Sequence, residues 1–336
     1  MIFTIAEKID YDIKETTLYT PTKIMTEYIK LDKKFITKPV IKWIGGKTQI
    51  IDKLVPNFPK EICNYHEVFL GGGSVLLAFL SYIKHGLIKC SGIVYAYDAN
   101  EPLINLYKNI QKNPNELFDS ISRLKEIYTS IISLKGNQKP LTYGESITSR
   151  ESYYFWIRKQ YNLLSVDEKN GVNGSAMLLF LNKTCFKGIF RIGPNGFNVP
   201  FGNNNNPEIA NIEHIIEVSE LIQNVIFSSC PFETSFENIT SGDFTYLDPP
   251  YVPKDDTSFV AYTKQGFKYQ QHLDLFKICN ELQQKNIKMM MSNSATELVT
   301  NNFSTELFTI DKIVCKRLIN SSNPNDTAKE VIVRNY

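Results

Sequence analysis

The tetrad Asp248-Pro249-Pro250-Tyr251 combines residue types that could hold an amino group over a planar base. It follows the apolar, aromatic-rich run at residues 244–247, which predicts a buried strand. Each proline has a fixed φ and lacks an N–H, so the carboxylate and the tyrosine ring are held apart while the intervening carbonyls can accept hydrogen bonds. Ligands of open α/β sheets bind beyond the carboxyl ends of strands. The tetrad is therefore a candidate catalytic floor, although a turn that simply ends the strand would also explain these residues.

A second cluster predicts a nucleoside-binding turn. A predicted strand at residues 66–70 is followed by three glycines and a serine at residues 71–74, then by an apolar helix from Val75 to Tyr82. Glycines let a ligand approach the chain closely, and a helix N-terminus offers unpaired N–H groups. The glycine spacing differs from that of the dinucleotide fingerprint. The turn is therefore expected to bind a nucleoside and not a pyrophosphate. The next predicted strand ends at Asp98, where an acid can accept both ribose hydroxyls, so a ribose-bearing cofactor is expected.

A glycine pair precedes a lysine at Gly45-Gly46-Lys47. The spacing is not that of a Walker P-loop. The glycines let the backbone approach a ligand, and the ammonium can reach an anion such as a carboxylate. A plain turn is the competing interpretation.

A basic, aromatic segment predicts contact with nucleic acid. Lys183, Lys187 and Arg191 recur every four residues among Phe, Asn and Gly, and residues 181–202 contain no acidic residue. Such a segment suits contacts to phosphates and base edges, and its aromatic residues could fill a gap in a base stack. A solvated loop with scattered lysines is the alternative. The segment lies in a largely helical stretch between the predicted strands at residues 93–97 and 225–227, which indicates an inserted domain.

The rest of the chain predicts more of the same sheet. After the tetrad, residues 252–269 form a predicted lid that contains Tyr262, followed by a helix at residues 270–285. Strands are predicted at residues 287–293, 303–310 and 329–334.

The 336 residues are 43% hydrophobic with a net charge of +2, an ordinary globular composition. No run approaches the roughly 20 apolar residues of a membrane span, and no signal pattern is present, so we expect an intracellular protein without membrane contact.

Taken in order, these motifs resemble those of the Dam-type, alpha-ordered family of DNA adenine-N6 methyltransferases. The resemblance runs from Pro39 to Asn335 and rests on Lys-Trp-x-Gly-Gly-Lys (42–47), Phe-x-Gly-x-Gly-Ser (69–74), Asp98, residues 197–202, the tetrad and Ser292-Asn293. It implies an α/β fold, namely the Rossmann-like S-adenosylmethionine-dependent methyltransferase fold, with a seven-stranded mixed sheet and an inserted, mainly helical target-recognition domain. The expected division is an N-terminal extension at 1–38, a catalytic methyltransferase domain at 39–113 and 207–336, and the target-recognition domain at 114–206.

The resemblance also implies roles for individual residues, with S-adenosylmethionine as methyl donor, double-stranded DNA as partner and a flipped adenine as acceptor. The catalytic residues would be Asp248, Pro249, Pro250 and Tyr251. The cofactor-binding residues would be Trp43, Gly45, Lys47, Phe69, Gly71, Gly73, Ser74, Asp98, Phe232 and Asp248. The DNA-binding residues would be Lys42, Lys183, Phe186, Lys187, Arg191, Asn198, Pro200, Tyr262 and Arg317. Lys183 and Lys187 stand where GATC-specific members carry Arg and Asn, so the target sequence is left open.

Other classes stay open at this point. A catalytically silent DNA-binding homologue, or a methyltransferase acting on RNA or on cytosine N4, could use the same scaffold. A nicotinamide dehydrogenase is disfavoured by the glycine spacing and the tetrad. We expect a monomer or weak dimer without a metal, and a separate cognate restriction endonuclease is a candidate partner.

Overall fold

The chain folds around a seven-stranded mixed sheet. The computed structural model describes residues 30–204, 206–253, 267–316 and 327–336. The strands are β1 Glu61–Ile62, β2 Tyr65–Glu67, β3 Lys89–Cys90, β4 Val94–Asp98, β5 Ile192–Gly193, β6 Gly196–Phe197, β7 Val225–Ser229, β8 Phe244–Leu247, β9 Lys288–Ser294, β10 Thr309–Lys316 and β11 Thr327–Arg334.

The order of the main sheet is β10-β11-β9-β8-β2-β4-β7. From β7 to β9 every neighbouring pair is parallel, whereas β11 runs antiparallel to both β9 and β10. The chain crosses from β2 to β4 on one side and from β8 to β9 on the other. The carboxyl ends of β2, β4 and β8 therefore meet at the point where strand order reverses, which is where open sheets bind ligands. This confirms the predicted α/β fold with a seven-stranded mixed sheet.

Helices lie on both faces of the sheet and fill the stretch between β4 and β7. They are α1 Ile51–Leu54, α2 Ser74–Lys84, α3 Glu101–Lys112, α4 Pro114–Ser130, α5 Tyr143–Ser146, α6 Arg150–Leu163, α7 Val166–Asn170, α8 Val172–Thr184, α9 Ile212–Leu221, α10 Tyr269–Gln284 and α11 Glu297–Thr300. The mainly helical insertion therefore occurs at its predicted place in the sheet order. The division of the chain at residues 113/114 and 206/207 stays a prediction.

The helices begin where local chemistry favours a start. The Asn100 side chain accepts a hydrogen bond from the Leu103 amide and caps α3. Asn113 leaves the helical region, with φ −133° and ψ 47°, and Pro114 then starts α4. Proline has no N–H to contribute inside a helix but is well suited to its first turn. The predicted helical stretch between the strands at residues 93–97 and 225–227 therefore begins with two separate helices, α3 and α4.

The sheet separates two apolar layers. Phe244 and Tyr246 of β8 face a core that also contains Tyr128 and Phe180 of the insertion. Leu247 faces the opposite layer, where α10 packs. One continuous core joins the sheet to α4, α6 and α8. Because α8 packs on α3 and α4 packs on α9, α3 and α9 set the position of the insertion.

One strand prediction was wrong in its extent. Residues 303–308 were predicted to begin a strand, but β10 starts only at Thr309. Phe303 instead packs its ring on Phe276 of α10 and on Phe308, with centroids 5.3 and 5.0 Å apart. Apolar residues that fill a core from a turn imitate a strand in sequence.

Among the described helices, none is long and apolar enough to cross a membrane.

Candidate active site

Asp248 and Lys47 form an ion pair at the carboxyl end of β8. The Lys47 Nζ lies 2.7 Å from Asp248 Oδ2 and also donates to the Gly45 carbonyl at 2.7 Å. The Lys47 amide donates to Ser74 Oγ at the start of α2. Burial raises the pKa of Asp248, and the Lys47 ammonium opposes that shift. The anion that Lys47 reaches is therefore the carboxylate of the tetrad, and four predicted site residues come together.

Tyr251 is held by a carboxylate from the antiparallel strand. Its hydroxyl donates to Glu330 Oε2 of β11 at 2.9 Å, and the Lys47 ammonium lies 4.9 Å from its ring centroid. Burial, followed by the negative charges of Asp248 and Glu330, raises the pKa of Tyr251 well above its ordinary value. Sequence reasoning missed Glu330. The only signal was an acid directly before the buried run at residues 331–333.

The Ser292-Asn293 pair fastens the chain that follows the tetrad. Asn293 Oδ1 accepts the amide of Val252 at 3.1 Å, and the Ser294 hydroxyl donates to the Val252 carbonyl at 2.7 Å. Ser292 Oγ lies 2.9 Å from the Tyr246 hydroxyl. These bonds from β9 hold β8 and Val252, the residue that follows the tetrad, in place. The Ser292-Asn293 motif therefore has a structural role.

The glycine turn lies beside Asp98, as predicted. Asp98 Oδ2 accepts the Gly71 amide at 2.9 Å, and Oδ1 accepts the Asn100 amide at 2.8 Å. Burial raises the pKa of Asp98, and the two amides act in the opposite direction. Gly73 has φ +71°, and a Cβ there would lie 2.5 Å from the Tyr107 hydroxyl. Only glycine fits this position without strain. Asp98 therefore holds the glycine turn in place through the Gly71 amide.

Two aromatic groups flank the turn. Trp43 covers it, since a Cβ on Gly72 would lie 2.7 Å from the Trp43 Cβ. The other side of Trp43 stacks on Phe190 of the insertion, with centroids 5.5 Å apart. The ring centroids of Phe69 and Phe232, both predicted to bind the cofactor, lie 5.8 Å apart.

A second acid, Glu67, is buried at the end of β2. The Tyr65 hydroxyl donates to its Oε2 at 2.7 Å. Burial raises the pKa of Glu67 to about 8, and the negative charge of Asp248 acts in the same direction. Glu67 is therefore mostly protonated at neutral pH. Sequence reasoning missed it, although an acid inside a predicted strand was a visible anomaly.

The predicted DNA-binding residues gather around the turn after α8. Phe186 is 44% exposed, and the Lys187 ammonium lies 5.4 Å from its ring centroid. Burial, and next the charge of Lys42, lowers the pKa of Lys183. Lys42 and Lys183, from two distant parts of the chain, therefore lie near each other.

Arg191 and Asn198 are paired across the β5–β6 hairpin. The Arg191 Nε donates to Asn198 Oδ1 at 2.7 Å, and Nη2 donates to the Asn198 carbonyl at 3.1 Å. Pro200 is exposed, and its carbonyl accepts the Phe186 amide. Sequence reasoning missed the contribution of α6, from which Asn162 bonds both the N–H and the C=O of Phe197.

Two predicted DNA contacts, Tyr262 and Arg317, lie outside the described residues, as does most of the predicted lid. In the ranges that the structure covers, no three His, Cys, Asp or Glu side chains gather in a metal-binding arrangement.

Comparison with known proteins identifies the family. The model of the D12 class N6 adenine-specific DNA methyltransferases matches residues 43–317. The type II methyltransferase M.MjaIII of Methanocaldococcus jannaschii is 33% identical over 308 residues, which cover 89% of this chain and 99% of that protein. The type II methyltransferase M1.LlaDCHI of Lactococcus lactis subsp. cremoris is 30% identical over 305 residues, covering 89% and 95%. The DNA adenine methylase of Escherichia coli K12 is 27% identical over 262 residues, covering 77% and 81%.

The match spans the glycine-lysine segment, the glycine turn, the insertion and the tetrad in one continuous stretch, which confirms the resemblance found from the motifs. The chain belongs to the family of D12 class N6 adenine-specific DNA methyltransferases, and it is an adenine-specific DNA methyltransferase.

Proposed function

We propose that the chain transfers the methyl group of S-adenosylmethionine to the N6 atom of an adenine flipped out of a short duplex recognition sequence. The observation that carries this proposal is the Asp248 carboxylate at a strand end, 2.7 Å from the Lys47 ammonium, which in turn lies 4.9 Å from the Tyr251 ring centroid. An exocyclic amino group needs a hydrogen-bond acceptor, and the planar base that carries it needs a ring face to stack on. The two prolines hold the acceptor and the ring at a fixed separation.

The chemistry of the glycine turn fits the proposed cofactor. A carboxylate offers about four lone-pair sites, and the two amides that Asp98 accepts leave room for two ribose hydroxyls. Phe69 and Phe232 offer ring faces for the cofactor's adenine. A Cβ on Gly45 would meet nothing within 4 Å, so the chain is open to a ligand there. When bound, S-adenosylmethionine supplies the methyl group.

Asp248 and the Pro249 carbonyl would accept the two hydrogens of the target amino group. The lone pair of such a nitrogen is delocalised into the ring, and these acceptors favour the pyramidal geometry in which it becomes available. The ionised Asp248 also stabilises positive charge that builds on the nitrogen. Because burial favours the neutral acid, Lys47 has the task of keeping Asp248 ionised.

Tyr251 would stack on the flipped base, a contact worth about 1–3 kcal/mol per base. Flipping itself takes a few kcal/mol, so other contacts must add to this stacking. The hydrogen bond from the Tyr251 hydroxyl to Glu330 restrains the position of the Tyr251 side chain. Preorganising this ring before the base arrives increases the useful part of the stacking energy.

We assign DNA contact to the insertion, residues 114–206, together with Lys42. Lys42, Lys183 and Lys187 suit phosphates, whereas Arg191, oriented by Asn198, suits a base edge. The exposed Phe186 ring is suited to fill the gap that a flipped base leaves. Two relatives are named type II methyltransferases, so we propose a separate restriction endonuclease as functional partner, with the chain acting inside the cell as a monomer or weak dimer.

The test is methyl transfer from labelled S-adenosylmethionine to DNA and to RNA, followed by nucleoside mass spectrometry of the product. N6-methyladenine formed in duplex DNA supports the proposal. The matched control is Asp248→Asn, which should bind DNA but lose orders of magnitude in kcat. Transfer only to RNA, formation of N4-methylcytosine, or DNA binding without transfer would each overturn it in favour of a different activity.

A further inference from the structure

One buried side chain ties the glycine-lysine segment to the DNA-facing turn. Asn182, in the last turn of α8, is 1% exposed. Its Oδ1 accepts the Lys42 amide at 2.9 Å, and its Nδ2 donates to the Lys42 carbonyl at 2.9 Å and to the Gly188 carbonyl at 3.0 Å. Lys42 and Asn182 are 140 residues apart in the chain. A single amide thus joins two segments that sequence order does not bring together.

The two segments also touch without a gap. Gly188 has φ +67°, and a Cβ there would lie only 2.6 Å from the Lys42 Cβ. One residue further along, Trp43 stacks on Phe190. Residues 42–43 therefore run along residues 188–190, and any shift of Lys42 must be accommodated by the turn at residues 186–188.

We infer that Asn182 is a positioning residue for DNA sequence discrimination, an inference that rests on the proposed function. Lys42 is exposed and projects from the catalytic part of the chain, whereas Phe186 and Lys187 project from the insertion. Side chains read one duplex only if their spacing matches its base pairs and phosphates. The Asn182 amide sets that spacing.

The amide chemistry makes Asn182 hard to replace. Its oxygen accepts one bond and both of its amide hydrogens are donated, so nearly every polar atom is used. Aspartate would turn a carboxylate oxygen towards two carbonyl oxygens, and alanine would leave all three backbone groups without this partner. Either change releases the Lys42 backbone, whereas the hydrogen bonds of Asp248 to Lys47 and of Asp98 to the glycine turn do not involve Asn182.

The test compares the wild type with Asn182→Ala on two duplexes. One carries the methylation site mapped by sequencing DNA from expressing cells, and the other differs from it at one base pair. We expect the ratio of kcat/KM on the two duplexes to fall at least tenfold in Asn182→Ala, with S-adenosylmethionine affinity changed less than twofold. The matched control is Asn109→Ala, which removes another buried amide that bonds Asn170 and Ser175 inside the helical packing. That control should lose some thermal stability and keep the ratio.

A double-mutant cycle separates positioning from general destabilisation. If Asn182 acts through Lys42, adding Asn182→Ala to Lys42→Ala should change the discrimination ratio less than twofold. A tenfold further fall in the Lys42→Ala background would show that Asn182 acts independently of Lys42 and would overturn the inference.

Gly188→Ala tests the same contact from the other side and decides the matter if Asn182→Ala does not fold. Its Cβ must push Lys42 away, so the discrimination ratio should again fall at least tenfold. Unchanged ratios in the folded variants would overturn the inference while wild-type methylation stands. Absence of methylation by the wild type would instead contradict the proposed function.

Discussion

The Lys47 Nζ lies 2.7 Å from Asp248 Oδ2, so the glycine-lysine segment and the strand-end tetrad meet in one ion pair although they are 201 residues apart. The lysine is more deeply buried than its partner, with 6% of its side chain exposed against 19% for the aspartate. Placed there, the ammonium opposes the effect of burial on Asp248. The pair thus connects the glycine-lysine segment, which we propose binds the cofactor, to the carboxylate that we propose acts on the adenine.

Lys47→Met tests this connection through the pH dependence of the reaction. Removing the ammonium leaves burial unopposed, so the pKa of Asp248 should rise further. In the proposed mechanism the carboxylate is the active form, so activity should fall as pH drops through that pKa. The acid limb of the single-turnover rate should therefore move to higher pH. Lys53→Met, at an exposed lysine of α1, is the control, and an unmoved acid limb in Lys47→Met would refute the assigned role.

Asp98→Ala should weaken S-adenosylmethionine binding at least tenfold. In the proposed cofactor site the variant would lose two charge-assisted bonds to ribose, each worth about 1.5–3 kcal/mol. It also leaves the Gly71 and Asn100 amides without their acceptor. Asp98→Asn keeps one oxygen and should lose less affinity than Asp98→Ala. Isothermal calorimetry on variants with native circular dichroism spectra measures both, and wild-type affinity in Asp98→Ala would remove the residue from the cofactor site.

Sequence reasoning located the parts of the site that are local in the chain. Asp248 and Asp98 were predicted at strand ends because short apolar runs stop directly before them, and the structure has β8 and β4 end there. The glycine turn was also predictable from a local pattern, because a positive φ such as that of Gly73 favours glycine.

The partners of these residues were not predictable. Glu330 meets Tyr251 only because β11 inserts antiparallel between β9 and β10, where Glu330 pairs with Ser294. Asn182 meets Lys42 only because the insertion packs on the sheet core. Such contacts depend on sheet order and register, which no local pattern encodes. Arg191 was predicted to contact DNA, and its hydrogen bond to Asn198 shows that the guanidinium is already oriented, which the spacing of the residues does not reveal.

Substitutions at Tyr251 should separate ring stacking from the hydroxyl bond. Tyr251→Ala should lose about 1–3 kcal/mol of stacking on the flipped adenine. Tyr251→Phe keeps the ring and loses only the bond to Glu330, so its kcat should fall less than tenfold. Fluorescence of 2-aminopurine at the target position reports the extruded base, and single-turnover rates report the chemistry. Equal losses in the two variants would show that the hydroxyl bond, not the ring, is what matters.

Glu330→Gln probes the other end of that bond. The amide oxygen can still accept the Tyr251 hydroxyl, while the negative charge near Asp248 is lost. Glu330 raises the pKa of Asp248, so its neutral replacement should lower that pKa and move the acid limb of the rate to lower pH. This direction is opposite to the one expected for Lys47→Met. A shift of both variants in the same direction would contradict the electrostatic account of the site.

Glu67→Gln should change how stability depends on pH. The pKa of Glu67 rises from its ordinary value of 4.5 to about 8 in the folded protein, chiefly through burial. The folded state therefore keeps a proton that the unfolded chain releases, and the stability that Glu67 contributes is complete below 4.5 and is lost as pH rises towards 8. Each unit of pKa difference corresponds to about 1.4 kcal/mol. Glutamine cannot ionise, and its oxygen can still accept the Tyr65 hydroxyl, so the variant should gain stability relative to the wild type across that window.

Urea unfolding at a series of pH values measures the difference, with Glu220→Gln, at an exposed position of α9, as the control. Parallel stability curves for Glu67→Gln and the wild type would mean that Glu67 is ionised in the folded protein at neutral pH, and the pocket would then hold one more negative charge beside Asp248.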